Sequence, residues 1–263
     1  DLFVVAPATA DIIGKVANGI ADDMLSTTIM PTKAKVLFVP SMNTNMYENP
    51  IVQANMEKLR SFGYEFVEPE SGHLACNTSG KGRFPALETI MDCAEKCIYG
   101  RELMKGKKVV VSAGGTQEKI DPVRFISNRS SGRQGYAIAK AAWMEGADVT
   151  LVSCTTALPA PYGVKMVYVQ DARELEKAMN AEYDSCDAAI MAAVVSDYRP
   201  TVQADQKIKK EDFDSLHIDL TQNPDILYGL GQKKRGQFLV GFAAETQDVI
   251  EHGKSKLKRK NLD

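Results

Sequence analysis

Short runs of β-branched and aliphatic residues alternate with stretches of helical periodicity along the whole chain. This alternation is typical of α/β proteins, in which helices connect parallel strands and pack on the sheet. The segment 70–85 fits neither period, and its Gly, Ser, Asn and Lys content predicts a flexible flap. Before residue 100 the pattern predicts strands at 2–6, 36–40 and 64–67, and helices at 10–26, 49–62 and 86–98.

A polar seam bracketed by glycines at 100–108 precedes a second α/β pattern. We therefore predict two domains, 1–103 and 104–263, each a doubly wound Rossmann-like unit with a mainly parallel sheet. In such sheets, ligands bind beyond the carboxyl ends of the strands. The second pattern predicts strands at 109–113, 148–153, 165–169, 188–193, 216–220 and 238–242, and helices at 135–145, 172–180, 225–231 and 248–260.

Composition narrows the functional classes. The net charge of -2 does not favour a nucleic-acid binder, and no apolar run approaches the roughly 18 residues of a membrane span. Five scattered cysteines, with no Cys-x-x-Cys pair, suit reduced thiols in a cytoplasm. Because residue 1 is Asp and a predicted strand follows at once, we expect an internal fragment of a longer polypeptide.

The loop 114–132 (GGTQEKIDPVRFISNRSSG) carries the strongest chemical signal. It follows a buried apolar strand and opens with two glycines, which leave backbone N–H groups accessible to an anion. Long ordered loops inside compact domains are usually functional. Arg124 and Asn128 in this loop are therefore candidates for substrate handling.

Three clusters in the first domain are candidates for a second site. Residues 6–11 (APATAD) follow the first strand, where the Thr9 hydroxyl either receives a polar cofactor edge or simply caps the next helix. Residues 40–47 (PSMNTNMY) supply an amide donor and acceptor at Asn43. Cys76 lies in the flap, where Lys81 and Arg83 would favour its thiolate.

The last two clusters resemble phosphopantothenoylcysteine decarboxylase, one of the homo-oligomeric flavin-containing cysteine decarboxylases. The resemblance implies a flavodoxin-like domain that uses FMN to oxidise the substrate thiol, after which CO2 is lost. Asn43 would hold the substrate carboxylate, Cys76 would supply a proton, and Met46 would shape the pocket. The resemblance also implies that FMN contacts Ala8, Thr9 and Asp11.

Two positions depart from that family's pattern: Tyr47 replaces its usual Trp, and Asp11 replaces its usual Asn. The family's catalytic histidine and flavin-phosphate loop lie upstream of the strand with which this chain begins. We therefore expect that the fragment does not decarboxylate its substrate on its own.

The loop 114–132, together with residues 191–200 (MAAVVSDYRP), 207–210 (KIKK), 223–227 (NPDIL) and 241–246 (GFAAET), resembles phosphopantothenate–cysteine ligase, which is fused to the decarboxylase in many bacteria. The resemblance implies a bifunctional enzyme of coenzyme A biosynthesis. Its ligase would activate 4'-phosphopantothenate with CTP as an acyl-cytidylate, which the amine of cysteine then attacks. Such chemistry requires positive charge near the phosphates, and a metal ion that bridges them.

Lys207 is the predicted phosphate clamp, and Asn128 is predicted to assist aminolysis of the acyl-cytidylate. Mg²⁺ is expected to bind through the CTP phosphates, with Asp197 as a further candidate ligand. The remaining predicted CTP contacts are Met191, Ala192, Ala193, Asp197, Pro224, Asp225, Ile226, Leu227, Phe242, Lys256 and Lys260.

The resemblance further implies ligase dimers and decarboxylase trimers, and from composition we expect no nucleic-acid or membrane partner. Two alternatives stay open at this point. A non-catalytic regulatory flavoprotein subunit would be expected to lack Asn43 or Cys76, and both are present. A dinucleotide-dependent oxidoreductase would need Gly-x-Gly-x-x-Gly after its first strand, which the glycines at 114 and 115 do not supply.

Overall fold

The computed structural model describes residues 1–73, 79–209, 215–243 and 248–263. The chain forms two compact units, Asp1–Gly100 and Arg101–Asp263. Each unit has its own parallel sheet, which confirms the predicted Rossmann-like α/β fold class. Among the described residues, no helix combines the length and the apolar character needed to cross a membrane.

Unit 1 is built on a three-stranded parallel sheet in the order β1-β2-β3, with strand ranges given below. Phe3 pairs with Val36, and Phe38 pairs with Phe66, where the two aromatic rings stack at 5.2 Å. The elements of unit 1 are β1 (Leu2–Ala8), α1 (Ala10–Ala17), α2 (Met24–Ile29), β2 (Lys35–Pro40), α3 (Thr44–Tyr47), α4 (Pro50–Ser61), β3 (Glu65–Phe66), β4 (Glu70–His73), β5 (Ser79–Arg83) and α5 (Leu87–Tyr99).

The single helix predicted at 10–26 is wrong, because the chain breaks it between α1 and α2. Asn18 ends α1, and Gly19 follows with φ of 70°, a left-handed conformation that glycine adopts without strain. Asp23 then begins α2, since its side chain accepts the backbone N–H of Ser26 in a capping box. Local end signals therefore outweighed the continuous apolar periodicity.

The segment 70–85, predicted as a flexible flap without regular periodicity, has regular structure in its two arms, which form an antiparallel hairpin. Strand β4 pairs with β5 through Ser71 and Lys81, and through His73 and Ser79. Glycines and small residues predict strands poorly, because the pairing here is specified by backbone hydrogen bonds and not by side-chain alternation. Residues 74–78, which include Cys76, lie outside the described residues.

Unit 2 begins with β6 (Lys108–Ala113), which is buried except at its first residue. The elements that follow are β7 (Gln117–Lys119), β8 (Phe125–Ser127), α6 (Arg133–Met144), β9 (Asp148–Ser153), β10 (Lys165–Tyr168), α7 (Ala172–Tyr183), β11 (Ala188–Met191), β12 (Tyr198–Pro200), β13 (Leu220–Gln222), α8 (Ile226–Lys233), β14 (Phe238–Gly241) and α9 (Val249–Arg259).

The main sheet of unit 2 is parallel throughout, in the order β10-β9-β6-β11-β14. After β6, the chain adds β9 and β10 on one side of β6. It then continues with β11 and β14 on the other side. Strand order therefore reverses between β6 and β11. In open α/β sheets, ligands bind in the crevice beyond the carboxyl ends of the strands at this switch point.

The predicted strand at 216–220 is also wrong. Only residues 220–222 form a strand, which pairs antiparallel with β12 outside the main sheet. Leu216 and Leu220, the apolar ends of the predicted strand, are each nearly half exposed. Alternation alone does not specify which strand partner covers the apolar face.

Helix α6 packs tightly on β6 at Gly135. A Cβ at this position would lie 2.6 Å from the Cβ of Ala113 and 2.7 Å from the carbonyl oxygen of Ser112. Close helix–strand approach of this kind is one of the roles that glycine has in Rossmann-like folds. The packing fixes the start of α6, and therefore the end of the loop 114–132, against the first strand of the sheet.

We expect Gly135→Ala to lower the free energy of unfolding of unit 2 by about 1–3 kcal/mol, because the added methyl group overpacks a rigid contact. Gly229→Ala in α8 is the matched control. A Cβ there meets no atom within 4 Å, so it should be neutral or stabilise the helix by up to about 1 kcal/mol. Urea denaturation of both variants measures the difference, and equal effects would contradict this account of the packing.

Candidate functional site

Two loops at the switch point of unit 2 are tied together by hydrogen bonds. The backbone N–H of Ala193 donates to the Ser112 hydroxyl at 3.1 Å, and that of Ser196 donates to the Thr116 hydroxyl at 2.9 Å. Both acceptor hydroxyls are fully buried. Val194 adds a backbone bond to the carbonyl of Gly114 at 2.8 Å. The loop after β11 is therefore held rigidly against the loop after β6.

A cleft of about 820 Å³ opens beside these loops. Small-molecule sites commonly have volumes of 300–1,000 Å³, so the cleft is large enough for a nucleotide. It contains every residue predicted to contact CTP except Lys207. Its lining consists of Gln134, Met191, Ala192, Ala193, Val194, Val195, Ser196, Asp197, Tyr198, Gln222, Asn223, Pro224, Asp225, Ile226, Leu227, Phe242, Ala243, Lys256 and Lys260.

The predicted basic face of α9 lines one side of the cleft. Lys256 and Lys260 are four residues apart, which places them on the same face of the helix. The ammonium of Lys260 contacts the carboxylate of Asp225 at 2.8 Å. Asp225 also caps α8, because its side chain accepts the backbone N–H of Tyr228 at 3.1 Å. Lys260 therefore lines the cleft while it forms an ion pair with Asp225.

Asn223 is a second anchor in the cleft lining. Its amide donates to the carbonyl of Ser196 at 2.8 Å, and its backbone N–H donates to the carbonyl of Asp197 at the same distance. The guanidinium of Arg199 donates to the side-chain oxygen of Asn223 at 3.0 Å. These bonds join the start of α8 to the loop that follows β11.

The predicted catalytic residues of unit 2 lie outside the cleft lining. Asn128 is adjacent to it, since its amide donates to the carbonyl of Val195 at 3.2 Å. Lys207 is exposed, in a segment held to the loop 114–132 through its neighbour Ile208. The guanidinium of Arg124 donates to the carbonyl oxygen of Ile208 at 2.8 Å.

In unit 1, the residues predicted to contact FMN lie between the end of β1 and the first turn of α1. Ala8 is fully buried at the end of the strand, and Thr9 is exposed at the start of α1. The Thr9 side chain makes no capping hydrogen bond, so the interpretation of Thr9 as only a helix cap is wrong. Asp11 lies 3.5 Å from Lys15 in an exposed ion pair.

Asn43 and Met46 lie beyond β2, where they meet the hairpin β4–β5. Asn43 caps α3, because its side-chain oxygen accepts the N–H of Asn45 at 2.8 Å, and Met46 is 45% exposed. Met42 donates its N–H to the carbonyl of Gly82 at 3.0 Å. Gly82 has φ of 137°, and a Cβ there would overlap the Met42 carbonyl. The hairpin therefore docks directly beside the loop that carries Asn43.

Glu68 secures this docking. Its carboxylate accepts from Lys81 on the hairpin at 2.8 Å, from the hydroxyl of Tyr47 at 2.9 Å and from Arg60 at 2.9 Å. Burial alone would raise the pKa of Glu68. The three donors, chiefly Lys81, lower the pKa by more, so that it lies below its ordinary value. Tyr47, where the resemblance would place Trp, contributes a hydroxyl to this network and its ring to the ammonium of Lys81 at 5.3 Å.

The Lys81 ammonium pairs with Glu68 at 2.8 Å. Cys76, whose thiolate Lys81 and Arg83 were predicted to favour, lies outside the described residues, so this effect on the thiolate stays a prediction. Sequence reasoning missed Ser112, Thr116 and Glu68. A signal for Ser112 was present, since a polar residue inside an otherwise apolar buried strand requires a hydrogen-bond partner.

Hairpin docking should depend on pH. The lowered pKa of Glu68 means that its ion pairs stabilise the folded state above pH 4.5, and this contribution is lost as pH falls through the lowered value. We expect amide protection of β4 and β5 in hydrogen exchange to fall in that acid range. Glu68→Gln should show low protection without the acid step, and Glu57→Gln, at an exposed position, should retain it. An unchanged step in Glu68→Gln would contradict the assignment.

Comparison with known proteins finds relatives that match the whole chain. The chain is 47% identical over 267 residues to the coenzyme A biosynthesis bifunctional protein CoaBC of Bacillus subtilis (strain 168), covering 100% of the chain and 65% of that protein. It is 44% identical over 266 residues to the protein of the same name from Escherichia coli (strain K12), covering 66% of it. The chain therefore spans about two thirds of the length of these relatives.

Part of the chain also resembles solved structures. The C-terminal domain of a coenzyme A biosynthesis bifunctional protein CoaBC superposes with a TM-score of 0.54 at 44% identity, covering 60% of this chain and 75% of that one. The DNA/pantothenate metabolism flavoprotein from Streptococcus pneumoniae shares the fold, with a TM-score of 0.53 at 22% identity, covering 60% and 80% of the two chains.

Family models cover both units. Residues 1–99 match the flavoprotein family, and residues 104–263 match the DNA/pantothenate metabolism flavoprotein C-terminal domain. The second match alone spans more than half of the chain. The chain therefore belongs to the DNA/pantothenate metabolism flavoprotein family.

Proposed function

We propose that this chain acts in coenzyme A biosynthesis as part of a bifunctional enzyme. Residues 104–263 ligate 4'-phosphopantothenate to cysteine at the expense of CTP, and residues 1–103 take part in FMN-dependent decarboxylation of the product, 4'-phosphopantothenoylcysteine. The observation that carries the proposal is the switch-point cleft, which brings together the residues predicted to contact the nucleotide. The names of the B. subtilis and E. coli relatives support the same pathway.

The cleft offers a separate environment for each part of CTP. Ala192 and Ala193 are small, so the backbone of this loop can approach the base or ribose closely. Phe242, a half-exposed residue of the lining, provides an aromatic face for the cytosine. Lys256 and Lys260 supply positive charge for the triphosphate at another wall. Mg²⁺ would bind through the phosphates, with the carboxylate of Asp197 as a further ligand.

The ligation proceeds in two balanced steps. A carboxylate oxygen of 4'-phosphopantothenate attacks the α-phosphorus of CTP, and the bond to the leaving pyrophosphate breaks. The amine of cysteine then attacks the acyl carbon, and CMP leaves as the amide forms. Lys207 would neutralise the charge that develops on the phosphates, and Asn128 would orient the acyl group for aminolysis. Arg124 is a further candidate for substrate handling.

The match of residues 1–99 to the flavoprotein family supports FMN as the cofactor of the decarboxylation. Buried Ala8 and exposed Thr9 fit a flavin edge, because the side chain of Thr9 makes no capping hydrogen bond to α1. When bound, FMN supplies the two-electron oxidation of the substrate thiol. Asn43 would hold the substrate carboxylate, Met46 would wall the pocket, and Cys76 would donate a proton, with Asp11 near the flavin.

We further propose that the enzyme works in the cytoplasm as a homo-oligomer, with dimeric ligase and trimeric decarboxylase parts. The oxidoreductase alternative is less favoured, because the hairpin β7–β8 lies between the glycines at 114–115 and α6. A dinucleotide fingerprint needs its glycines to open the helix directly, where the pyrophosphate meets the helix N-terminus.

Pyrophosphate release tests the ligase assignment. With CTP, 4'-phosphopantothenate and Mg²⁺, we expect Lys207→Gln and Lys260→Gln to lower kcat/KM for CTP by roughly 10- to 100-fold, because each loses a charge-assisted contact with phosphate. Lys165→Gln is the control, since Lys165 also forms an ion pair, with Glu182, at a distance from the cleft. Release that is independent of 4'-phosphopantothenate, or equal turnover in all variants, would overturn the assignment.

Two asparagines that cap helices give a matched test of the decarboxylase part. Asp caps a helix as well as Asn, so Asn43→Asp and Asn49→Asp should both fold. Only Asn43→Asp places a negative charge against the substrate carboxylate, and we expect it to slow CO2 release by roughly 100-fold or more. The assay uses FMN and the polypeptide of the complete reading frame. Similar rates for both variants would contradict the role of Asn43.

A further inference from the structure

The segment that carries Lys207 is anchored at several points to the loop after β6. The backbone N–H of Ala204 donates to the carbonyl of Ile120 at 2.9 Å. The N–H of Ile208 donates to the carboxylate of Asp121 at 3.2 Å, and the carbonyl of Ile208 accepts from the guanidinium of Arg124 at 2.8 Å. Both backbone polar groups of the residue after Lys207 are therefore held by side chains of one turn.

Asp121 is suited to this task, because its two oxygens do different work. One oxygen accepts the N–H groups of Val123 and Arg124, at 2.8 and 2.7 Å, and closes the turn 121–124. The other oxygen accepts from Ile208 and lies 3.6 Å from the guanidinium of Arg124. The residue is only 1% exposed. A buried carboxylate is stable only when it is paired and hydrogen-bonded, and Asp121 meets both conditions.

We propose that Asp121 and Arg124 are positioning residues for Lys207. This proposal rests on the proposed ligase function. The turn 121–124 would hold the Lys207 backbone where the Lys207 ammonium can reach the triphosphate of the nucleotide. The guanidinium of Arg124 then acts through Ile208 on Lys207, in addition to any contact with substrate. Without the anchor, the segment samples other conformations, and apparent affinity falls in proportion to the fraction of molecules in the competent one.

Asp121→Asn tests the anchor with a minimal change. The amide oxygen can still close the turn, but the amide NH2 would face two donors, the Ile208 N–H and the Arg124 guanidinium. We expect KM for CTP to rise roughly 10-fold, with kcat changed by less than about 2-fold. The control is Asp187→Asn, which removes a carboxylate bound to Lys107 and to the N–H of Lys108 at the other end of β6. It should leave both constants unchanged.

A double-mutant cycle separates positioning of Lys207 from a general structural effect. If Asp121 acts through Lys207, Asp121→Asn should cause no further rise in KM for CTP in a Lys207→Gln background. Effects that multiply would overturn the proposal. Arg124→Met removes the bond to the Ile208 carbonyl and leaves the Asp121 turn intact. It too should cause no further rise in KM for CTP in the Lys207→Gln background. It carries the test if Asp121→Asn does not fold.

Limited trypsin digestion gives a readout that does not depend on activity. Cleavage after Lys207 and Lys209, followed by mass spectrometry, should be several-fold faster in Asp121→Asn than in the wild type or in Asp187→Asn. Unchanged cleavage would overturn the anchor. Faster cleavage in a chain that shows no CTP-dependent pyrophosphate release would retain the anchor, overturn the positioning role and show that the proposed function itself had failed.

Discussion

The arrangement of unit 2 depends on hydrogen bonds to two buried hydroxyls, those of Ser112 and Thr116. They accept backbone N–H groups from the loop after β11, and so they join the two loops at the point where strand order reverses. A buried backbone N–H left without a partner is costly, which makes this joint specific as well as stable. The cleft is lined by the loop after β11, and Asn128 donates to the carbonyl of Val195 in the same loop.

Two of the cations that the proposed ligase site would use are paired with carboxylates. Lys260 meets Asp225 at the start of α8, and Arg124 meets Asp121 beneath the Lys207 segment. A cluster of unpaired lysines would repel itself in the absence of an anion, whereas these carboxylates hold the cations in place before any ligand binds. Under the proposed function, a ligand phosphate would compete with the Asp225 carboxylate for Lys260, whereas Lys207 is exposed.

Unit 1 uses the same physical device on a smaller scale. Glu68 accepts from residues on three separate elements and holds the hairpin β4–β5 against the loop that carries Asn43. Gly82 makes the contact close enough for a backbone hydrogen bond, since a side chain there would overlap Met42. A segment with little apolar surface of its own is therefore positioned by electrostatics and by backbone pairing.

The sequence by itself determined the fold class and most of the cleft, because apolar periodicity follows buried faces, and the residues after parallel strands necessarily meet at one edge of a sheet. It did not determine the break between α1 and α2, the pairing of β13 with β12, or the hairpin that replaces the expected flap. It also could not assign partners to Lys81, Arg124 or Lys260. Only the tertiary structure decided these points, because a hydrogen bond or ion pair depends on which residues distant in sequence come within about 3 Å of each other, and no local pattern encodes that distance.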